Sequence, residues 1–135
     1  IFVREGRCDF LVTREILPYV LQNLTDAGRT RLHLEQIPLS ALEAPEQKTK
    51  QIRGTVSSLR LDGIVAEGFA LSRSRASDLI AAGKTELNYT LCQKPDRAVA
   101  EGDVISVRGL GKMQLASVGG PTKKGRISVE ICRYL

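Results

Sequence analysis

Tryptophan is absent from these 135 residues, aromatic side chains make up only 4%, and histidine occurs once, as His33. So little aromatic surface excludes the interleaved stacking platform on which single-strand nucleic-acid binders lay successive bases. His33 sits in an alternating segment without a Gly-x-Ser-x-Gly context, so a Ser-His-acid triad has no basis. Cys8, Cys92 and Cys132 are far apart and odd in number, which supports neither a disulfide framework nor zinc-ligand spacing. They read as reduced thiols, those at 92 and 132 as small hydrophobes within strands. No metal, no cofactor, no catalytic residue and no small-molecule substrate is expected. No apolar run reaches the roughly 18 residues of a membrane span, and no basic stretch leads into a hydrophobic segment as in a secretory signal. The expected compartment is the cytoplasm, with no membrane partner. Gly109-Leu110-Gly111-Lys112 has Ser106 where a phosphate loop needs its first glycine, and neither Ser nor Thr follows the lysine, which excludes that nucleotide-binding motif.

What is present is a foldable, mildly basic chain. Hydrophobic residues at 42% allow a packed core in one ordinary domain or two small ones. Lys and Arg total 20 against 15 Asp and Glu, a net charge of +5. Residues 1–58 carry 8 basic and 7 acidic side chains, whereas residues 59–135 carry 12 and 8, so the excess lies in the second part. A cationic surface gains affinity for nucleic acid by releasing condensed counterions. The chain opens at Ile1, inside an apolar extended segment, as expected for a piece of a longer protein.

The first third reads as strand, helix, strand. Ile1 to Arg4 is extended, Ile16, Leu17, Val20, Leu21 and Leu24 recur at helical spacing behind a Thr13 cap, and Arg31 to Ile37 alternates. Pro18 falls about one turn into that helix, where a bend is expected if the helix begins at Thr13. This is the pattern of a remnant of a small α/β (RRM-like) domain. Pro38, Pro45 and the polar run Glu46–Lys50 mark an exposed connection, with the boundary expected near Ser58. The expected domains are therefore 1–58 and 59–135.

The second part changes rhythm. Leu61, Ile64, Val65 and Gly68 fall at i, i+3, i+4 and i+7 of a short amphipathic helix. A second helix over 72–82 has Ser72 to accept from its free first-turn amides and Gly83 to close it in a left-handed conformation. Its apolar stripe is Ala76, Leu79 and Ile80, with Arg73 and Arg75 on opposite flanks and Lys84 just past the end. Short strands follow at 85–88, 91–92 and 104–108. The alternating runs 112–118 and 126–134 then predict a hairpin with the basic tip Lys123, Lys124 and Arg126. In the last strand Ile127, Val129 and Ile131 are expected to face the core.

These pieces resemble the alpha-L RNA-binding motif, or S4 domain. Its line appears here as Arg60-Leu61-Asp62, Ser72-Arg73-Ser74-Arg75-Ala76, Leu79-Ile80, Gly83-Lys84-Thr85, Leu87-Asn88 and Gly102-Asp103-Val104-Ile105. Thr85 stands where the family usually has Val, and Tyr89 where many members carry Gly. The segments Ile52–Ser58 and Thr122–Tyr134 extend the likeness to the YlmH-type branch, some of whose members are labelled photosystem II S4 domain proteins. The resemblance implies an α+β fold: two short helices and a small, mostly antiparallel sheet. It also implies a non-catalytic RNA-binding protein that associates with the large ribosomal subunit and assists stalled translation. The alternatives are the RNA-guide domain of a larger modifying enzyme, a pseudouridine synthase or methyltransferase, and a protein-interaction scaffold.

The expected partners are rRNA or tRNA and the ribosome, and the expected RNA-binding residues are Arg60, Ser72, Arg73, Arg75, Lys84, Asn88, Lys123 and Lys124. Each has a plainer reading. Arg and Lys mostly ride solvated helix rims, Ser72 caps its helix, Asn88 shapes a turn, and hairpin-tip lysines keep a sheet edge soluble. Asp62 is expected to act structurally, near the positive end of its helix. With so few aromatics, the RNA recognised should be folded, and read by shape and backbone.

Overall fold

A computed structural model describes residues 1–135, which divide into two compact units, Ile1–Glu46 and Gln47–Leu135. In the first unit β1 (Phe2–Arg4) and β2 (Arg7–Asp9) form an antiparallel hairpin. Then come α1 (Leu17–Asn23), a second hairpin of β3 (Asp26–Ala27) and β4 (Thr30–Arg31), and a 3-10 turn at Leu39–Ala41. No hydrophobic side chain of this unit is buried; the one buried residue is Asp9, held by Arg7 at 2.8 Å. A second ion pair joins Arg4 to Glu43 at 2.8 Å.

Two local expectations change. The helix expected over 13–24 begins at Leu17, preceded by a single turn in which the Leu17 amide donates to the Thr13 carbonyl at 3.2 Å. Pro18 thus lies within the first helical turn, where its missing amide needs no partner and no bend arises. Of the alternating run 31–37 only Arg31 is in a strand, because its antiparallel partner begins only at Asp26, just after α1, and leaves the residues beyond Arg31 no ladder to join.

The second unit is a six-stranded antiparallel sheet with two helices. Its strands are β5 (Thr49–Val56), β6 (Thr85–Leu87), β7 (Thr90–Leu91), β8 (Val104–Val107), β9 (Gly111–Pro121) and β10 (Ile127–Tyr134), in the order β5-β10-β9-β8-β6-β7. The boundary expected near Ser58 falls instead between Glu46 and Gln47. The reason is that β5 pairs with β10 along its whole length, from Val56↔Ile127 to Thr49↔Tyr134. The helices are α2 (Leu61–Phe69) and α3 (Arg73–Ala81). Leu61, Ile64, Val65 and Phe69 of α2 and Ala76, Leu79 and Ile80 of α3 share one core with Val56, Ile105, Val107, Met113, Leu115, Val129 and Ile131 of the sheet. Ile127 packs at its margin. The period of two puts alternate residues of each strand into that core, leaving the other sheet face open.

Local chemistry fixes the helix ends. Ser72 Oγ accepts from the Arg75 amide at 3.2 Å, the N-cap bond its type favours. At the other end Lys84 N donates to Leu79 O at 3.1 Å and Gly83 N to Ile80 O at 3.0 Å, a Schellman closure in which Gly83 has φ +71°. The first amides of α2 are met by the carbonyls of Arg97 (2.8 Å) and Pro95 (2.9 Å), so the 93–99 loop sets where that helix starts. Gly68 lets α2 approach the sheet, since a Cβ there would run into Met113 Sδ.

Asn88 and Tyr89 form a two-residue hairpin loop between β6 and β7, both with positive φ (48° and 65°). Such loops favour Asn-Gly, because a side chain in the left-handed region clashes with the following carbonyl. Tyr89→Gly is therefore expected to stabilise the unit by about 1 kcal/mol. Thermal denaturation followed by circular dichroism should show the midpoint rising by about 4–8 °C. An unchanged or lower midpoint would mean that the exposed Tyr89 ring makes a compensating contact.

Candidate nucleic-acid interface

At the start of α2 the buried carboxylate of Asp62 gathers two arginines. Arg60 donates to it from both Nε (3.3 Å) and Nη2 (2.8 Å), and Arg73, the first residue of α3, reaches the same group from Nη2 at 3.2 Å. Arg73 Nη1 also donates to Ser57 Oγ at 3.3 Å, and the Gly63 amide donates to Asp62 at 2.7 Å. Burial pushes the Asp62 carboxyl up, but the hydrogen bonds from Arg60, Arg73 and Gly63 outweigh it and hold the group below the ordinary carboxylate range. The hydrogen bond to Asp62 raises Arg60 in turn.

Arg60 and Arg73 are thus ion-paired, not free as the helix wheel suggests. Their side chains nevertheless remain 43% and 48% exposed, and two guanidinium groups share one carboxylate, leaving a net charge of +1 at this corner. Asp62 sets the direction of both forks while leaving donors of each open: Nη1 of Arg60 and Nε of Arg73 have no protein partner. Beside them, Arg75 is exposed and makes no side-chain bond, while Ser72 spends its acceptor on the cap.

Lys84 lies at the opposite end of α3 from Arg73, three residues past its last helical residue, Ala81. It enters a shallow groove of about 360 Å³ on the sheet, together with Arg108 and Lys112 and the glycines 83, 109 and 111. The Arg108 amide donates to the Lys84 carbonyl at 2.8 Å, and Lys112 Nζ stands 4.7 Å over the Tyr134 ring. Neither Arg108 nor Lys112 was a candidate from sequence. Their approach to Lys84 depends on the β6–β8–β9 register, which joins positions more than twenty residues apart. The strand Val104–Val107 was legible, and a hairpin count from it would have pointed to Arg108.

The remaining candidates separate into two groups. Asn88 is consumed by the fold: its Nδ2 donates to Asp103 at 3.0 Å and its Oδ1 accepts from the Val104 amide at 2.9 Å, which leaves it a positioning role at the hairpin. Lys123 and Lys124, at the tip between β9 and β10, are exposed and have no ion-pair partner. Arg126 beside them is tied to Thr55, donating from Nε at 2.9 Å and from Nη2 to its carbonyl at 2.6 Å. With the boundary at Gln47, the second unit holds 15 basic and 8 acidic side chains, net +7, against 5 and 7, net −2, in the first. Only Arg53, Arg60 and Arg73 among those 15 stand in ion pairs.

Residues 59–105 match the S4 domain family. Over 122 residues, 90% of the chain, the sequence is 35% identical to the ribosome-associated protein quality control protein P2 of Bacillus subtilis. The match covers 48% of that protein, so the chain spans about half the length of the relative it matches. The matched span runs from Leu59 through both helices to Ile105, and includes Asp62, its two arginines, Ser72 and Lys84. The chain is an S4-domain protein of the YlmH type.

Proposed function

We propose that this chain is a non-catalytic RNA-binding protein of the ribosome. Its S4 domain docks on structured rRNA, with tRNA as the other substrate of the same chemistry, in the cytoplasm. The observation that carries the reading is the charge imbalance of the second unit: net +7, with twelve cations outside any ion pair, built around an S4 domain. Such a surface suits the regular phosphate array of a folded RNA. The relative's name associates that protein with the ribosome in quality control, which supports the ribosome as the site of action; the large subunit of a stalled ribosome is the finer target we propose.

Arg60 and Arg73, aimed by Asp62, and Arg75 offer forked donors to phosphates near the start of α3. The α3 N-terminus behind Ser72 adds a partial positive charge. Lys84 contacts backbone at the far end of the helix, with Lys123 and Lys124 as further cations and Asn88 holding the hairpin in place. Binding of this kind is largely sequence-independent and electrostatic. The test is retention of the full chain on purified ribosomal subunits and on naked rRNA, titrated with KCl. The expected result is salt-sensitive binding favouring the large subunit, with log K falling by about 0.7–0.9 per phosphate contact for each decade of salt. Retention that survives ribonuclease digestion and is indifferent to salt would replace this reading with a protein scaffold.

A further inference from the structure

We infer that Lys84, Arg108 and Lys112 form a phosphate-binding site for the backbone of folded RNA on the open face of the sheet, distinct from the arginine pair at Asp62. The inference deepens the RNA reading above and rests on it. Strand register supplies the first argument. Thr85 pairs with Val107 and Glu86 with Ser106, and the ladder runs one step further, through the Arg108 amide to the Lys84 carbonyl, so these two cations stand directly opposite each other. Thr85, Ile105 and Val107 point into the core, so Lys84, Glu86, Ser106 and Arg108 project from the other face. Ser106 pairs with Lys112, which brings the third cation onto that face.

Like charges directly opposed across strands destabilise a sheet. No carboxylate lies within ion-pair distance of Lys84, Arg108 or Lys112. Glu86 is the one acidic group lining the groove, and it faces Ser106 and Leu91 instead of a cation. The fold thus carries an electrostatic cost here that an anion would relieve.

The shape agrees. Gly109 (φ 85°) lies in the turn from β8 to β9 and Gly111 (φ 112°) opens β9, and with Gly83 they line the groove, so part of its wall is bare backbone that a ligand can approach closely. The ring of Tyr134 steadies the Lys112 ammonium. A strand, not a helix, follows Lys112, so the site lacks the helix terminus of a nucleotide phosphate loop. Side-chain cations spread along a strand pair suit the successive phosphates of a polymer.

The experiment measures fluorescence anisotropy of a labelled RNA hairpin against the full chain over a KCl series, alongside each variant's melting temperature. Arg108→Gln and Lys112→Gln should each weaken binding about tenfold and make the salt slope shallower by about 0.7–0.9. Arg108→Gln should leave the melting temperature unchanged or raise it by a few degrees, because it removes a like-charge contact. Glu86→Gln should tighten binding. Wild-type affinity and slope in both cation variants, while the native chain binds normally, would overturn this site and leave the RNA reading standing. A native chain that does not bind the hairpin would overturn both. Displacement of the hairpin by ATP, at concentrations where KCl of equal ionic strength has no effect, would make the groove a free-nucleotide pocket and overturn the assignment to RNA.

Discussion

Replacing Asp62 with alanine is expected to lower the stability of the S4 unit by about 2–3 kcal/mol, the cost of removing a buried carboxylate that accepts four hydrogen bonds from Arg60, Arg73 and Gly63. The value stays below that of a wholly buried pair because Arg60 and Arg73 are each about half exposed and can rehydrate. For a unit of this size the melting temperature should drop by roughly 10–20 °C. The pH dependence has a definite sign. The folded-state carboxyl sits below its unfolded value, so its contribution is fully present above the ordinary carboxylate pKa of about 4 and is lost as pH falls through the lower folded value. Urea unfolding at neutral and strongly acid pH should therefore show a smaller acid-induced loss in Asp62→Ala than in the native chain.

Under the proposed reading, the same variant separates two ways in which the arginines would serve RNA. It raises the net charge by one, so a purely long-range attraction would strengthen RNA binding. If aim matters, the two freed guanidinium groups lose their fixed direction and affinity falls at 25 °C, below the variant's melting point, despite the added charge. The second outcome is expected, because Asp62 orients both arginines while leaving each with open donors.

Most of the second unit was legible because its signals are local. Leu61, Ile64 and Val65 at helical spacing, the Ser72 cap, the Gly83 closure and the alternation of Val129 and Ile131 each settle their own few residues, and the core confirms them. The first unit was less legible, since the alternation of Arg31–Ile37 says nothing about whether a partner strand is at hand. The domain boundary slipped for the same reason. Only the pairing of Thr49–Val56 with Ile127–Tyr134, across some seventy residues, shows that the stretch before Ser58 belongs to the sheet. At the site, a helix wheel could place Arg73 on a face but could not see that Asp62, from another helix, would hold it. Nor could it see that Arg108 would arrive opposite Lys84. Two departures from the family pattern proved informative: Tyr89 occupies a left-handed position, and Thr85 is buried.

Thr85→Val is expected to stabilise the unit by about 1–2 kcal/mol. Thr85 is fully buried in β6, and its Oγ1 has no hydrogen-bond partner. A hydroxyl taken out of water without replacement costs about 1–3 kcal/mol. Valine has nearly the same shape and favours strands, so it removes that cost without opening a cavity. In urea denaturation the midpoint should rise with an unchanged slope, since the surface exposed on unfolding is the same. RNA affinity should not move, because Thr85 faces the core while Lys84 and Glu86, its neighbours in the strand, face the other way. A midpoint that fails to rise would mean that the hydroxyl is satisfied in solution, by an internal water or by a small shift of the β6–β8 ladder. A midpoint that rises while RNA binding weakens would show that the inner and outer faces of β6 are coupled, and that the position of Lys84 depends on how this strand packs.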